Sequence, residues 1–309
     1  MSQPVGGAGH ARVRAALVTV QVLFGINYLV SKHVVAALDP AAWAALRAVS
    51  ALVILAALTV VLRRRMPRGR DLWYLGCCAV LGVTLNQILF LEGIARTTPA
   101  HSALICSQIP LFALTAAVLL GQERLTGRKL AGLLLGMAGV LVLLEIDRFQ
   151  LDGAYLAGDL LTLANAVAYG LYVGLTGRVM RRNDSLGATT AVFLFGSLGI
   201  VAYGGDDLLR APLASLSPAV WAGMTFAVLG ATVATYFLNL WALRHTDASR
   251  VALFVFLQPV VATALSVIWW GEPVTWRLAV AGALVAASLA LREGRGRTPV
   301  TATAPAGQR

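Results

Sequence analysis

Apolar runs of about twenty residues recur along this chain, separated by short stretches rich in Arg. A helix of about 20 apolar residues crosses the ~30 Å hydrocarbon core of a bilayer. Lipid offers backbone N–H and C=O groups no partners, so a spanning segment of this kind must be helical. With 58% hydrophobic and 13% charged residues, against about a quarter charged in ordinary soluble domains, the chain cannot hide its apolar surface in a water-soluble core. Ten runs fit: residues 15–36, 41–62, 72–94, 99–120, 128–145, 156–178, 187–204, 216–243, 248–270 and 275–292. The weakest is 187–204, which carries Gly187, Gly196 and Gly199. Residues 1–12 read as a short polar cytoplasmic lead, not a cleavable signal peptide. Residues 293–309, small, polar and rich in Pro and Gly, read as a disordered cytoplasmic tail.

The net charge of +11 does not point to nucleic acid, because the Arg residues cluster between the apolar runs. With the N-terminus in the cytoplasm, all but six of the 25 Lys and Arg fall on inner segments. The six are Lys32, Arg47, Arg96, Arg148, Arg210 and Arg277. The positive-inside rule then places both termini in the cytoplasm, and losing one span would flip every later cluster. The outer stretch "GGDDLL" is acidic (Asp206, Asp207). Trp73, Trp221, Trp269, Trp270 and Trp276 fall near span ends, where an indole is half wet. Cys77, Cys78 and Cys106 lie inside apolar runs and read as packing residues, not as a disulfide or metal site.

The chain also repeats itself. From Pro110 and from Pro259 an apolar run leads after thirteen residues to a Glu (Glu123, Glu272), with Thr126 or Thr275 three residues on and Arg128 or Arg277 two further. "LEGIARTTPAHSALICSQIP" lies over "LWALRHTDASRVALFVFLQP", 149 positions on. "AVLG" at 79–82 meets "AVLG" at 227–230 after a one-residue slip, and "FGINYLVSK" (24–32) resembles "YGLYVGLTG" (169–177). Residues 13–146 and 156–292 therefore read as two copies of a five-helix unit. Five is odd, so the copies enter the membrane from opposite sides. The expected fold is an all-α polytopic membrane protein with ten transmembrane helices in two inverted-topology repeats. Carriers built this way bind substrate near the midplane, between the repeats.

Those pieces resemble the drug/metabolite transporter superfamily, specifically its EamA-like group. They are "FGINYLVSK", "AALRAVSAL", "GQERLTGRKLAG" and "GEPVTWRLAVAG", and the resemblance covers nearly the whole chain. Where the family usually has Trp before the first Gly, this chain has Phe24. The resemblance implies export of amino acids, drugs and other small metabolites, with protons as the candidate coupling ion. The expected location is a bacterial-type plasma membrane, crossed many times. Import by the same fold and a membrane-embedded scaffold are the alternatives. No catalytic cluster and no Walker motif occurs, so neither an enzyme nor an ATP-driven pump is expected, and no cofactor, metal or nucleic acid is implied. The partners expected are a small-molecule substrate and the bilayer, with the chain a monomer or homodimer.

Polar groups in lipid need a partner or a cavity. The candidate substrate-binding residues are Asn27, Tyr28, Asn86, Gln87, Gln108, Tyr169, Tyr172, Tyr236, Asn239 and Gln258. Pro110 and Pro259 each free a carbonyl one turn earlier and suit gating helices. Arg47 either binds a carboxylate or plays a structural part, snorkelling outward or pairing with Glu92. Glu92 is the candidate proton-coupling group, being the acid placed inside a span. Glu123 and Glu272 are expected to lock the turns that close each half, with Thr126 and Thr275 capping the next helix. His101 and His245 are expected to be ordinary interfacial residues. The small-residue runs around Gly132, Gly136 and Gly139 and in "AGALVAAS" suit scaffold or dimer contacts.

Overall fold

A computed structural model describes residues 7–143, 153–270 and 276–293. Every regular element among the described residues is helical. In the first half these are α1 (Gly7–Val35), α2 (Pro40–Val61), α3 (Arg70–Ala79), a π-helical segment (Val80–Leu85), α4 (Asn86–Arg96), α5 (Pro99–Cys106), α6 (Ile109–Leu119) and α7 (Gly127–Leu143). The second half holds α8 (Gly153–Met180), α9 (Ser185–Arg210), α10 (Pro218–Val228), a second π segment (Leu229–Ala234), α11 (Thr235–His245) and α12 (Ala248–Leu253). A 3-10 turn (Phe254–Phe256), α13 (Leu257–Trp270) and α14 (Trp276–Glu293) complete it.

Local chemistry sets the helix starts. Asp39, Thr98 and Ser217 each precede a Pro, and each side chain accepts from a backbone N–H of the first turn, that of Ala41, His101 and Val220. Pro loses nothing there, because that N–H has no helical partner. Asp184 caps α9 through Leu186 and Gly187 at 3.1 Å each.

Eight helical runs among the described residues, 18 to 28 residues long, are long and apolar enough to cross a membrane. Of the ten runs read from sequence, α7 has 17 residues, and the apolar part of α14 is Trp276–Leu291. These two pack on each other. Gly139 lies under the Ala281 carbonyl, and the Ser288 hydroxyl donates to the Gly132 carbonyl at 2.6 Å. Their small residues are thus used inside the chain. The outer surface is apolar, with Val60 76% and Leu119 81% exposed, as lipid contact requires.

Several expectations need correcting. Residues 187–204 form part of an unbroken helix of 26 residues that takes in "GGDDLL". Its glycines are contact points, since a Cβ on Gly196 or Gly199 would come within 2.6 Å of Val83 or Thr84. The span expected over 99–120 is divided at Ser107 and Gln108, just ahead of Pro110. The one over 248–270 is divided by the 3-10 turn ahead of Pro259. The tail after Glu293, Glu272 and Thr275, and the side chains of Trp269 and Trp270 lie outside the described residues.

The repeat governs the packing. The π segments start at Val80 and Leu229, α4 and α11 at Asn86 and Thr235, and α7 and α14 at Gly127 and Trp276, each pair 149 positions apart. The "AVLG" match, offset by 148, is therefore out of structural register by one residue. Helix α2 packs on α9 and α7 on α14, while the first helix of each half lies on the other half: α1 on α11 and α13, α8 on α4 and α6. Glycine permits both crossings. A Cβ on Gly25 would lie 2.9 Å from Val261 and 3.2 Å from the Gln258 carbonyl. On Gly170 it would lie 2.6 Å from Phe112 and 2.9 Å from the Ile109 carbonyl. Phe112 and Ile109 are the repeat equivalents of Val261 and Gln258.

Candidate functional site

Where the crossed helices meet, a cavity of about 60 Å³ remains. The first half supplies Phe24, Asn27 and Tyr28 from α1, Arg47 from α2, and Asn86, Gln87 and Phe90 from α4. It also supplies Cys106 and Ile109, from either side of the break between α5 and α6. The second half supplies Asn165 and Tyr169 from α8, Ala231 from its π segment, Tyr236 and Gln258.

Hydrogen bonds join the halves around this space. The Tyr28 hydroxyl donates to Gln258 Oε1 at 2.9 Å, and Gln258 Nε2 donates to Gln21 Oε1 at 2.7 Å. Arg47 Nε donates to the Thr232 hydroxyl at 2.6 Å and Nη2 to the Ala231 carbonyl at 3.2 Å. Asn165 Nδ2 donates to the Asn86 carbonyl at 2.7 Å. The Tyr236 hydroxyl donates to the Gly82 carbonyl at 2.5 Å and lies 2.9 Å from Asn86 Oδ1. Ala231 and Gly82 belong to the two π segments, where wider turns release carbonyls from the regular ladder. The duplicated π segments thus supply backbone acceptors to side chains of the opposite half.

Seven of the ten candidate binding residues line the cavity: Asn27, Tyr28, Asn86, Gln87, Tyr169, Tyr236 and Gln258. Three stand behind it. Asn239 donates to the Tyr169 hydroxyl at 2.9 Å, Tyr172 covers Gly82, and Gln108 points to Met137 Sδ at 3.2 Å. Arg47 lines the cavity and is bonded to the second half, not to Glu92. Glu92 pairs with Arg96 and accepts from the Tyr203 hydroxyl at 2.7 Å, at the end of the bundle and away from the cavity. Pro110 and Pro259 follow the helix breaks directly.

Two networks tie the ends. At the Arg-rich end Glu123 does more than lock its own turn. It pairs with Lys129 at 2.6 Å and accepts from the Ser249 N–H at 3.0 Å and the Ser249 hydroxyl. It thereby serves the N-terminus of α12 in the other half, while Asp247, the residue at the cap position, makes no cap bond and pairs with Arg181 at 3.1 Å. Burial pushes the Glu123 carboxyl up, but Lys129 and both Ser249 donors outweigh it, and the group sits below the usual carboxylate range. The Thr126 hydroxyl accepts a long bond from Lys129 N–H, 3.4 Å. At the opposite end the Lys32 ammonium donates to the carbonyls of Ile94, Ala95 and Thr97, which end α4. The Thr97 hydroxyl donates to Asp159 at 2.6 Å, and His101 Nδ1 lies 3.1 Å from the same carboxylate. Asp159, 9% exposed, went unnoticed in the sequence; Glu92 is not the sole acid inside a span. His245 Nδ1 donates locally to the Trp241 carbonyl at 2.8 Å.

Comparison with known proteins agrees with this architecture. The EamA-like transporter family matches residues 15–145 and again 156–292. A probable amino-acid metabolite efflux pump of Salmonella typhimurium is 27% identical over 286 residues, 87% of this chain and 91% of the pump. A probable terminal-alkyne amino-acid exporter of Streptantibioticus cattleyicolor is 28% identical over 234 residues, 74% of this chain and 75% of the exporter. A protein crystal structure superposes with a TM-score of 0.73 at 21% identity, covering 92% of this chain and 96% of the other, and bears on the fold alone. Because the family match takes in both halves, the chain belongs to the EamA-like transporter family and is a multi-pass membrane transporter.

Proposed function

We propose that the chain is a secondary active transporter that exports small organic metabolites, amino acids and drug-like compounds among them, by alternating access. The observation that carries this reading is a cavity walled by both halves and bridged by hydrogen bonds from one to the other. The two relatives named as an exporter and an efflux pump support the substrate class and direction. In this reading each five-helix half crosses in the opposite sense, giving ten spans, with both termini on the cytoplasmic side of a bacterial-type plasma membrane. The Arg-rich end is then the cytoplasmic end.

At about 60 Å³ the cavity has room for roughly two waters, far below the ~300–1,000 Å³ of ordinary ligand pockets. Substrate therefore enters only when the halves part at one end. The Glu123–Ser249 bridge and the Thr97–Asp159 bridge are the two closures. Asn27, Tyr28, Gln87, Tyr169, Tyr236 and Gln258 are proposed to contact substrate, with Asn86 and Asn239 orienting Tyr236 and Tyr169.

The test is counterflow in proteoliposomes with a mixed metabolite pool, read by mass spectrometry. Selective exchange by the parent, reduced in Gln258→Ala and Tyr28→Phe, is expected. An inserted, folded parent that exchanges nothing contradicts the proposal. Repeating the exchange under an imposed pH gradient with Glu92→Gln tests protons as the coupling ion; a gradient that leaves the parent rate unchanged contradicts it.

A further inference from the structure

Among the described residues that line the cavity, Arg47 alone carries a formal charge. Arg47 is 4% exposed, and both of its hydrogen-bond partners are neutral: the Thr232 hydroxyl and the Ala231 carbonyl. An unpaired buried charge costs several kcal/mol, so a guanidinium in such a place normally has a carboxylate partner. Among the described residues none pairs with it. Glu92 is engaged by Arg96 and Tyr203, and Asp159 by Thr97 and His101. Among the described residues no Asp or Glu lines the cavity. The two bonds use one N–H on Nε and one on Nη2, which leaves Nη1 and half of Nη2 to donate elsewhere.

A second group points the same way. Gln87 lines the same cavity at 3% exposure, and neither its amide oxygen nor its amide nitrogen has a partner among the described residues. Asn27 Oδ1 is buried and likewise has none among them. Buried polar groups are normally satisfied, so unmet ones lining a cavity mark where water, or a ligand that displaces it, makes the bonds. The unmet donors are the guanidinium and the Gln87 amide nitrogen, a set that suits a carboxylate.

We propose that Arg47 and Gln87 hold a carboxylate of the substrate, and that this pair makes the transporter selective for carboxylate-bearing molecules over their amides and over simple amines. The inference rests on the cavity being the transport site. Its role for Arg47 is recognition, with the bonds to Thr232 and Ala231 fixing the guanidinium on the second half so that both halves hold the anion.

The experiment is counterflow in proteoliposomes with the common amino acids and small aromatic carboxylates, each beside its carboxamide. The parent is expected to exchange acids faster than amides by at least about tenfold, as one charge-assisted hydrogen bond supplies. In Arg47→Gln, checked as monodisperse, that preference should fall towards one. Gln87→Glu sets a carboxylate in the cavity with Arg47; it should suppress exchange of acids and favour the cationic amides. This second variant carries the test if Arg47→Gln fails to fold. A parent that exchanges acids and amides equally, or an Arg47→Gln or Gln87→Glu protein that keeps the parent's preference, overturns the proposal and leaves the carrier reading intact. A folded parent that exchanges nothing removes the carrier reading and the proposal together.

Discussion

Gln258 holds two hydrogen bonds at once, one from Tyr28 and one to Gln21. Replacing it with Ala leaves a buried hydroxyl and a buried amide oxygen unmet, at about 1–3 kcal/mol each. Tyr28→Phe leaves only one group unmet, the Gln258 amide oxygen, about 1–3 kcal/mol. Thermal unfolding in detergent should therefore rank parent, Tyr28→Phe, Gln258→Ala; the reverse order for the two variants would contradict the network. Glu123 gives a pH signature. Its carboxyl is depressed in the folded chain, so its stabilisation is complete above the unfolded value of about 4.3. It is lost as pH falls through the lower folded value. Near neutral pH the parent should exceed Glu123→Gln by about 1.5–3 kcal/mol, and the gap should close only below about pH 4. A gap unchanged down to pH 3 would show that the charge is not what binds Ser249. Much of the site was legible because amides and Tyr in lipid have few other uses. Arg47's partners were not, because Thr232 and Ala231 lie 185 and 184 positions away. Asp159 was missed because one acid near a helix start looks like an ordinary end residue.

At the scale of helices, the two crossings depend on glycine. Gly170→Val should separate α8 from α6, because the Ile109 backbone carbonyl in the way cannot rotate aside. Overpacking of this kind costs about 1–3 kcal/mol, and the equivalent Gly25→Val should behave alike. Gly282→Ala is the control, since a Cβ there meets nothing within 4 Å. Equal stability of Gly170→Val and the control would mean that the crossing is looser than described. Apolar runs located the long helices because hydropathy and length are local properties. The π segments were not legible: "VLGVTL" and "LGATVA" look like ordinary helix. Their wide turns free carbonyls that meet side chains about 150 positions away, as Gly82 meets Tyr236. The breaks ahead of Pro110 and Pro259 were foreshadowed by the prolines themselves.

For the molecule as a whole, the two halves are joined at their ends by different chemistry, Glu123 with Ser249 at one end and Thr97 with Asp159 at the other, and these are the closures proposed above. Alternating access requires each to open while the other stays shut. The most direct test uses a background with Cys77, Cys78 and Cys106 replaced by Ala and introduces one pair at a time: Glu123→Cys with Ser249→Cys, or Thr97→Cys with Asp159→Cys. Each pair is then bridged with a thiol cross-linker that a reductant can cleave. Counterflow is measured bridged and released. Exchange should stop when either end is locked and return on reduction. Exchange that continues with one end locked would contradict alternating access through the cavity between the halves.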